Sequence, residues 1–185
     1  MATFGDVVSQ IVGITRRAQH ITQIKGRVNS VVRKISGMGD FPQNLQELVD
    51  SNNANEGVVT IALPARFKGV SYVRPASCKR PLDFVSPATY ETDEYGYYVT
   101  GNNLLVKHPH SEDDIYYGLY IHPANLVGDS DTNWILDSFE AIVVEMASAE
   151  LQGILGNSEA ATMLERYSLQ FLRNEVHNYL SPYGD

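Results

Sequence analysis

An α+β fold, with helices at both ends of the chain and strands between them, follows from three observations. Apolar residues recur at helical spacing near both termini. Between them, over 58–121, the period changes to two. Gly, Pro, Asn and Asp clusters mark the changes. At 185 residues and 43% apolar, the chain can bury a real core and fits one domain, or one domain with a sizeable insertion. Strands alone cannot cover the apolar stripes of four helices, so the first and last helix pairs are expected to pack together. That predicts an antiparallel helical bundle from residues 1–50 plus 130–180, a β-rich insertion at 57–123 and a tail at 181–185.

Thr3 and Asp6 stand three apart before Phe4, Val7, Val8, Ile11 and Val12, a capping-box start for a short amphipathic helix. Gly13 and Thr15-Arg16-Arg17 end it. A second helix is predicted from about Ala18 to Ser36, its stripe formed by Ile21, Ile24, Val28, Val31 and Ile35 at 3-4-3-4 spacing. Gly37 and Gly39 stop it. A short element at Leu45–Val49 and a polar loop at 51–57 follow. Val58–Leu63 and Val70–Val73 read as strands, and the Pro-rich stretch 75–87 as a loop. Tyr97–Thr100 and Leu104–Lys107 flank Gly101-Asn102-Asn103, a hairpin turn whose residues tolerate positive φ. In 114–121, Ile115, Tyr117, Leu119 and Ile121 share one face, and Tyr116 and Tyr120 the other. A long helix runs from Trp134 to Gly156, and Ser158 caps a last one carrying Met163, Tyr167, Phe171, Leu172, Val176 and Tyr179.

Charge is spread unevenly along the chain. Residues 1–80 hold 11 Lys+Arg against 5 Asp+Glu, and residues 81–185 hold 3 against 17, within an overall net charge of −8. Opposite-sign segments favour head-to-tail contact with another copy, or docking between two partners. The basic face expected to make that contact is Arg16, Arg17, Lys25, Arg27, Arg33 and Lys34. A sequence pI near 5 argues against broad duplex-DNA binding. The lone Cys78 excludes an internal disulfide framework and a multi-cysteine zinc site. No apolar run approaches the roughly 18–20 residues of a membrane span, and the N-terminal residues do not read as a signal peptide.

Catalytic signatures are weak. The His108–Asp114 segment offers two imidazoles and carboxylates that are metal-ligand types, but Pro109 interrupts any strand that would align the two rings. A polar hairpin loop is the better account, and a hydrolase with a metal there is the alternative. Glu140, Glu145 and Glu150 are spaced by five, so each turns roughly 140° from the last and they share no face. A solvated or interface-facing helix is expected there instead. No phosphate loop, nucleophile elbow or local triad is present. No catalytic residue, metal or cofactor is assigned, and the protein is not expected to be an enzyme.

The order of elements resembles a known family. HITQIKGRVNSVVRKISGMGDFP is similar to the second helix and Phe-Pro exit of the head-to-tail adaptor (connector) proteins of tailed bacteriophages. VTIALPARFKGVSYVRP resembles their strand–Leu-Pro-x-Arg-Phe–strand segment, and YYVTGNNLLVK and DIYYGLYIHP their following hairpin strands. DTNWILDSFEAIVVEMASAELQGILGNSEAA resembles their long helix and Leu-Gly turn. The resemblance implies a virion structural protein forming a ring, usually of twelve copies, under the portal at the head-to-tail joint. It implies synthesis in the host cytoplasm, portal and tail-component partners, DNA passing without specific binding, and no membrane. Phe171, Leu172, Val176, Tyr179 and Tyr183 would grip the portal. Hairpins at Gly101, Asn102 and Asn103 and at His110, Glu112 and Asp113 would face the tail.

Overall fold

The computed structural model describes residues 1–51, 58–91, 95–108 and 113–180, without the side chains of residues 90, 91, 160, 164, 165 and 178–180. It is a mixed helix-and-sheet chain in two compact units, residues 1–43 with 123–185 and residues 44–122.

The first unit is helical. Helix α1 (Phe4–Thr15) opens with the expected reciprocal capping box between Thr3 and Asp6 and buries Phe4, Val7, Val8 and Ile11. Helix α2 (Ile21–Gly37) starts three residues later than its stripe predicts, because Ala18–His20 form a 3₁₀ turn. Its Ile24, Val28, Val31 and Ile35 are fully buried.

Helix α4 (Trp134–Ile154) begins at Asn133, whose side chain accepts from the N–H groups of Ile135 and Leu136. Ile135, Leu136, Ile142, Val143, Val144, Met146, Ala147 and Leu151 are buried around much of its circumference. A helix apolar on so many sides must be covered on as many, and α1, α2 and α5 (Ser158–Leu180) all pack against it. The helix bends at Phe139, whose ring packs edge-on to those of Phe41 and Trp134.

The 128–131 loop is tied to the first turn of α1. Asp131 O accepts from Phe4 N at 2.8 Å and Asp129 O from Gly5 N at 2.9 Å, satisfying two donors that a helix start leaves without partners. Asn29 of α2 bonds both backbone groups of Leu126, at 2.9 and 2.7 Å, as a neighbouring strand would.

The second unit holds two three-stranded antiparallel sheets. The first has the order β1 (Leu45–Asp50), β6 (Ile115–Ile121), β3 (Phe67–Pro75), and the second β2 (Val58–Ala62), β5 (Asn103–Lys107), β4 (Gly96–Thr100). Val59, Ile61, Val73, Leu104, Val106, Ile115, Tyr117, Leu119 and Ile121 form its core, so the predicted inward face of 115–121 is the buried one.

Two expectations are corrected here, and one element is added. Residues 45–50, grouped by sequence with the helices, are strand β1 paired along its length with β6. Strand β3 is longer than 70–73, running from Phe67 through two irregularities against β6. A short helix, α3 (Pro87–Glu91), follows the loop ending at Pro87. The 52–57 loop and the 181–185 tail lie outside the described residues.

Candidate functional site

The basic face divides into two sets. Lys25 Nζ lies 2.7 Å from Asp129 and also over the Phe4 ring. Lys34 and Arg27 both reach Glu150 of α4, at 2.6 and 3.6 Å, and the Glu150 side chain is only 14% exposed. These three cations are paired within the helical unit, and each keeps part of its side chain exposed. Arg33 is exposed and donates to Asn125 at 3.5 Å, a long bond. It lines a shallow groove of about 420 Å³ with Gly26, Asn29, Ser30 and Lys34. Arg16 and Arg17 are exposed and make no ion pair with the described residues.

The three glutamates of α4 are not simply solvated. Glu140 accepts from Gln10 Nε2 of α1, Glu145 from Ser168 Oγ of α5 at 3.4 Å, and Glu150 pairs with α2. Spacing by five aims each at a different neighbour, as the rotation predicts.

The expected portal grip also divides. Leu172 and Val176 belong to the buried core of the helical unit, so neither is a surface anchor. Phe171 is exposed; the Tyr179 side chain and Tyr183 lie outside the described residues. The exposed face of α5 carries what a bulk list of its apolar residues concealed. Met163, Tyr167 and Phe171 follow one another at four-residue spacing, with Glu159 one step before and Glu175 one step after. Sorting the helix by angle would have found this stripe, because Ser168, Leu172 and Val176 form a separate stripe facing inward. Beside Phe171 and Glu175 lies a groove of about 230 Å³, floored by Ser138, Phe139, Ala141 and Ile142 and edged by Glu140.

In the second unit, Gly101 takes φ +55° and Asn102 and Asn103 are exposed, in a turn closed by the Thr100–Asn103 pair. Leu63 N donates to Asn102 O at 2.8 Å, so this hairpin tip is fixed rather than loose. Of the histidine–carboxylate segment, His108 is buried, and Asp113 accepts from the N–H (3.1 Å) and hydroxyl of Ser77. His110 and Glu112 lie outside the described residues. Among the described residues no group of three or more His, Cys, Asp or Glu side chains is placed to hold a metal ion.

The outer face of the β1–β6–β3 sheet was not foreseen as a unit. Arg74 stacks over Tyr116 at 5.1 Å and Lys68 over Tyr120 at 5.8 Å. Tyr72 lies across Gly118 and donates to Glu47 at 3.0 Å, and burial, with that bond second, raises its pKa.

Fold and surfaces thus define a two-unit α+β chain whose described chemistry lies on exposed faces. Comparison with protein-family models and with curated proteins finds no match for it. No helix among the described residues is long and apolar enough to cross a membrane.

Proposed function

We propose that this chain is a virion structural protein of a tailed bacteriophage. In this reading it forms a ring at the head-to-tail joint, docks beneath the portal, extends the DNA channel and offers tail components an attachment surface. The helical unit is then the antiparallel bundle built by the N- and C-terminal helix pairs, and its copies pack around the circle. Function is by assembly, with no turnover and no cofactor.

The observation that carries the reading is the succession of segments resembling head-to-tail adaptors. A physical requirement supports it. DNA moving through a ring must not stick to the wall, and a chain of net charge −8 repels a polyanion rather than binding it. The exposed, carboxylate-bracketed stripe of α5 supports it too, since a large apolar stripe rimmed by polar groups marks a contact surface. The hairpin tip at Gly101–Asn103, tied by the Leu63–Asn102 bond, suits docking of a tail component.

Negative-stain electron microscopy of the chain alone, and mixed with the portal ring of the same phage, tests this. An added ring of density on one end of the portal is expected. Portals that stay bare at saturating chain overturn the reading.

A further inference from the structure

The apolar stripes of α1 and α2 both run past the core at the turn joining them. Ile14 lies three residues beyond the fully buried Ile11 and is 60% exposed. Ile21 opens the α2 stripe, whose next member Ile24 is fully buried, yet it is 45% exposed. Between them stand Arg16 and Arg17, exposed and without an acidic partner among the described residues. Arg16 also adopts φ 53°, ψ 38°, the only non-glycine residue with positive φ among those described. Such a conformation disfavours any side chain but glycine's, and it persists here with a long cationic one. The tip is therefore apolar and positive.

Helix α5 presents an apolar stripe with carboxylates at its two ends and with Arg166 and Arg173 exposed on its flank. Met163, Tyr167 and Phe171 are 61%, 70% and 55% exposed. Glu159 and Glu175 bracket them, and Glu140 edges the adjoining groove. Each four-residue step turns the stripe by about 40°, so it winds along the helix toward that groove.

We infer that the α1–α2 tip of one copy seats on the α5 stripe of a second copy, with Ile14 and Ile21 on Met163, Tyr167 and Phe171 and with Arg16 and Arg17 against Glu159 and Glu175. Charge complementarity selects this occupant. Each face set against itself brings like charges together, two arginine pairs in one case and the bracketing glutamates in the other, so the contact joins unlike faces. A contact between unlike faces leaves both copies with one face open, and repetition builds a ring or a filament. The inference rests on the ring reading for its biological sense, but the contact itself is tested separately.

The test uses the full chain with Cys78→Ser, in two single-cysteine forms, Ala18→Cys beside the tip and Gln170→Cys beside the stripe. Both sites are exposed. Mixed at equal concentration and oxidised, the two forms can make a mixed disulfide only between chains. The expected result is a ratio of mixed dimer to total homodimers of about ten, against one for random pairing. Arg16→Glu with Arg17→Glu on the first form abolishes that excess, as does Glu159→Arg with Glu175→Arg on the second. The two reversed forms together restore it. Random pairing, preferential Gln170→Cys homodimers, or failure of the paired reversals to restore the excess overturns the contact. Mixed dimers from chains that leave portals bare uphold the contact and remove the ring reading. Rings on portals with random disulfide pairing do the reverse.

Discussion

At Arg16, folding and the inferred contact between copies can be tested at a single position. A left-handed conformation in a non-glycine residue costs about 1–2 kcal/mol, while glycine in its place loses about 0.5–1 kcal/mol more chain entropy on folding. Arg16→Gly is therefore expected to raise unfolding free energy by about 0.5 kcal/mol in urea titration, and at the same time to weaken contact between copies. A clear loss of stability would mean that the guanidinium has a structural partner and the tip is not a free face. Asn29 illustrates the opposite case, a polar side chain engaged in folding. Its amide bonds Leu126 twice and Lys25 O once, using both N–H donors and one of the two oxygen lone pairs.

Among the elements, the β1–β6–β3 sheet is pinned by a row in which Glu47, Gly118 and Tyr72 stand side by side. A Cβ on Gly118 would lie 2.7 Å from Tyr72 Cε1, and 3.2 Å from Leu45 Cδ1. The ring fills the space the glycine leaves, and its hydroxyl bridges the central strand. Gly118→Ala should cost about 2 kcal/mol by overpacking. Because Tyr72→Ala removes the clash, the double variant should cost clearly less than the sum of the singles, and an additive cycle would refute the row. The start of α1 is the second pinned element. Asp131 accepts from Val127 N and Gly128 N, and these bonds hold its pKa below the usual 3.8. Asp6 is lowered likewise, first by the Thr3 N–H and then by the Thr3 hydroxyl. Both carboxyls bind protons more weakly folded than unfolded, so their contribution is present above about pH 4 and fades as pH falls below it. Melting temperature should drop through that window, and Asp131→Asn should reduce the drop; an unchanged slope would remove Asp131 from the loop's support. The capping box was legible because its signal is two residues three apart. Strand β1 was not, because it holds only six residues and is paired by a strand some seventy positions away, which no local period records.

At the scale of the molecule, the charge asymmetry that dominates the sequence disappears on folding. Counted over the full sequence, residues 1–43 with 123–185 hold 8 basic and 12 acidic residues, and 44–122 hold 6 and 10. Each unit is thus net −4, because basic α2 and acidic α4 belong to the same body and pair through Lys34, Arg27 and Glu150. Charge order along a chain maps onto surfaces only if the segments stay apart, and here the last helices return to the first. For the same reason the α+β class and most elements could be read from periodicity, whereas the candidate surfaces could not. Burial of Leu172 and Val176, and exposure of Tyr167 one turn before Phe171, depend on which side of α5 meets α4. The basic residues therefore split by function, and charge reversal tells the two sets apart. Arg27→Glu with Lys34→Glu replaces two attractions around Glu150 by repulsions and should lower unfolding free energy by about 2 kcal/mol. Arg16→Glu with Arg17→Glu touches no ion pair and should change it by less than about 0.5 kcal/mol, while removing the preference for mixed dimers. Urea titration of both doubles, read beside the disulfide assay, decides the matter. Equal destabilisation by the two would show that the whole basic face serves folding, and unchanged stability in the first would return Arg27 and Lys34 to the surface available for partners.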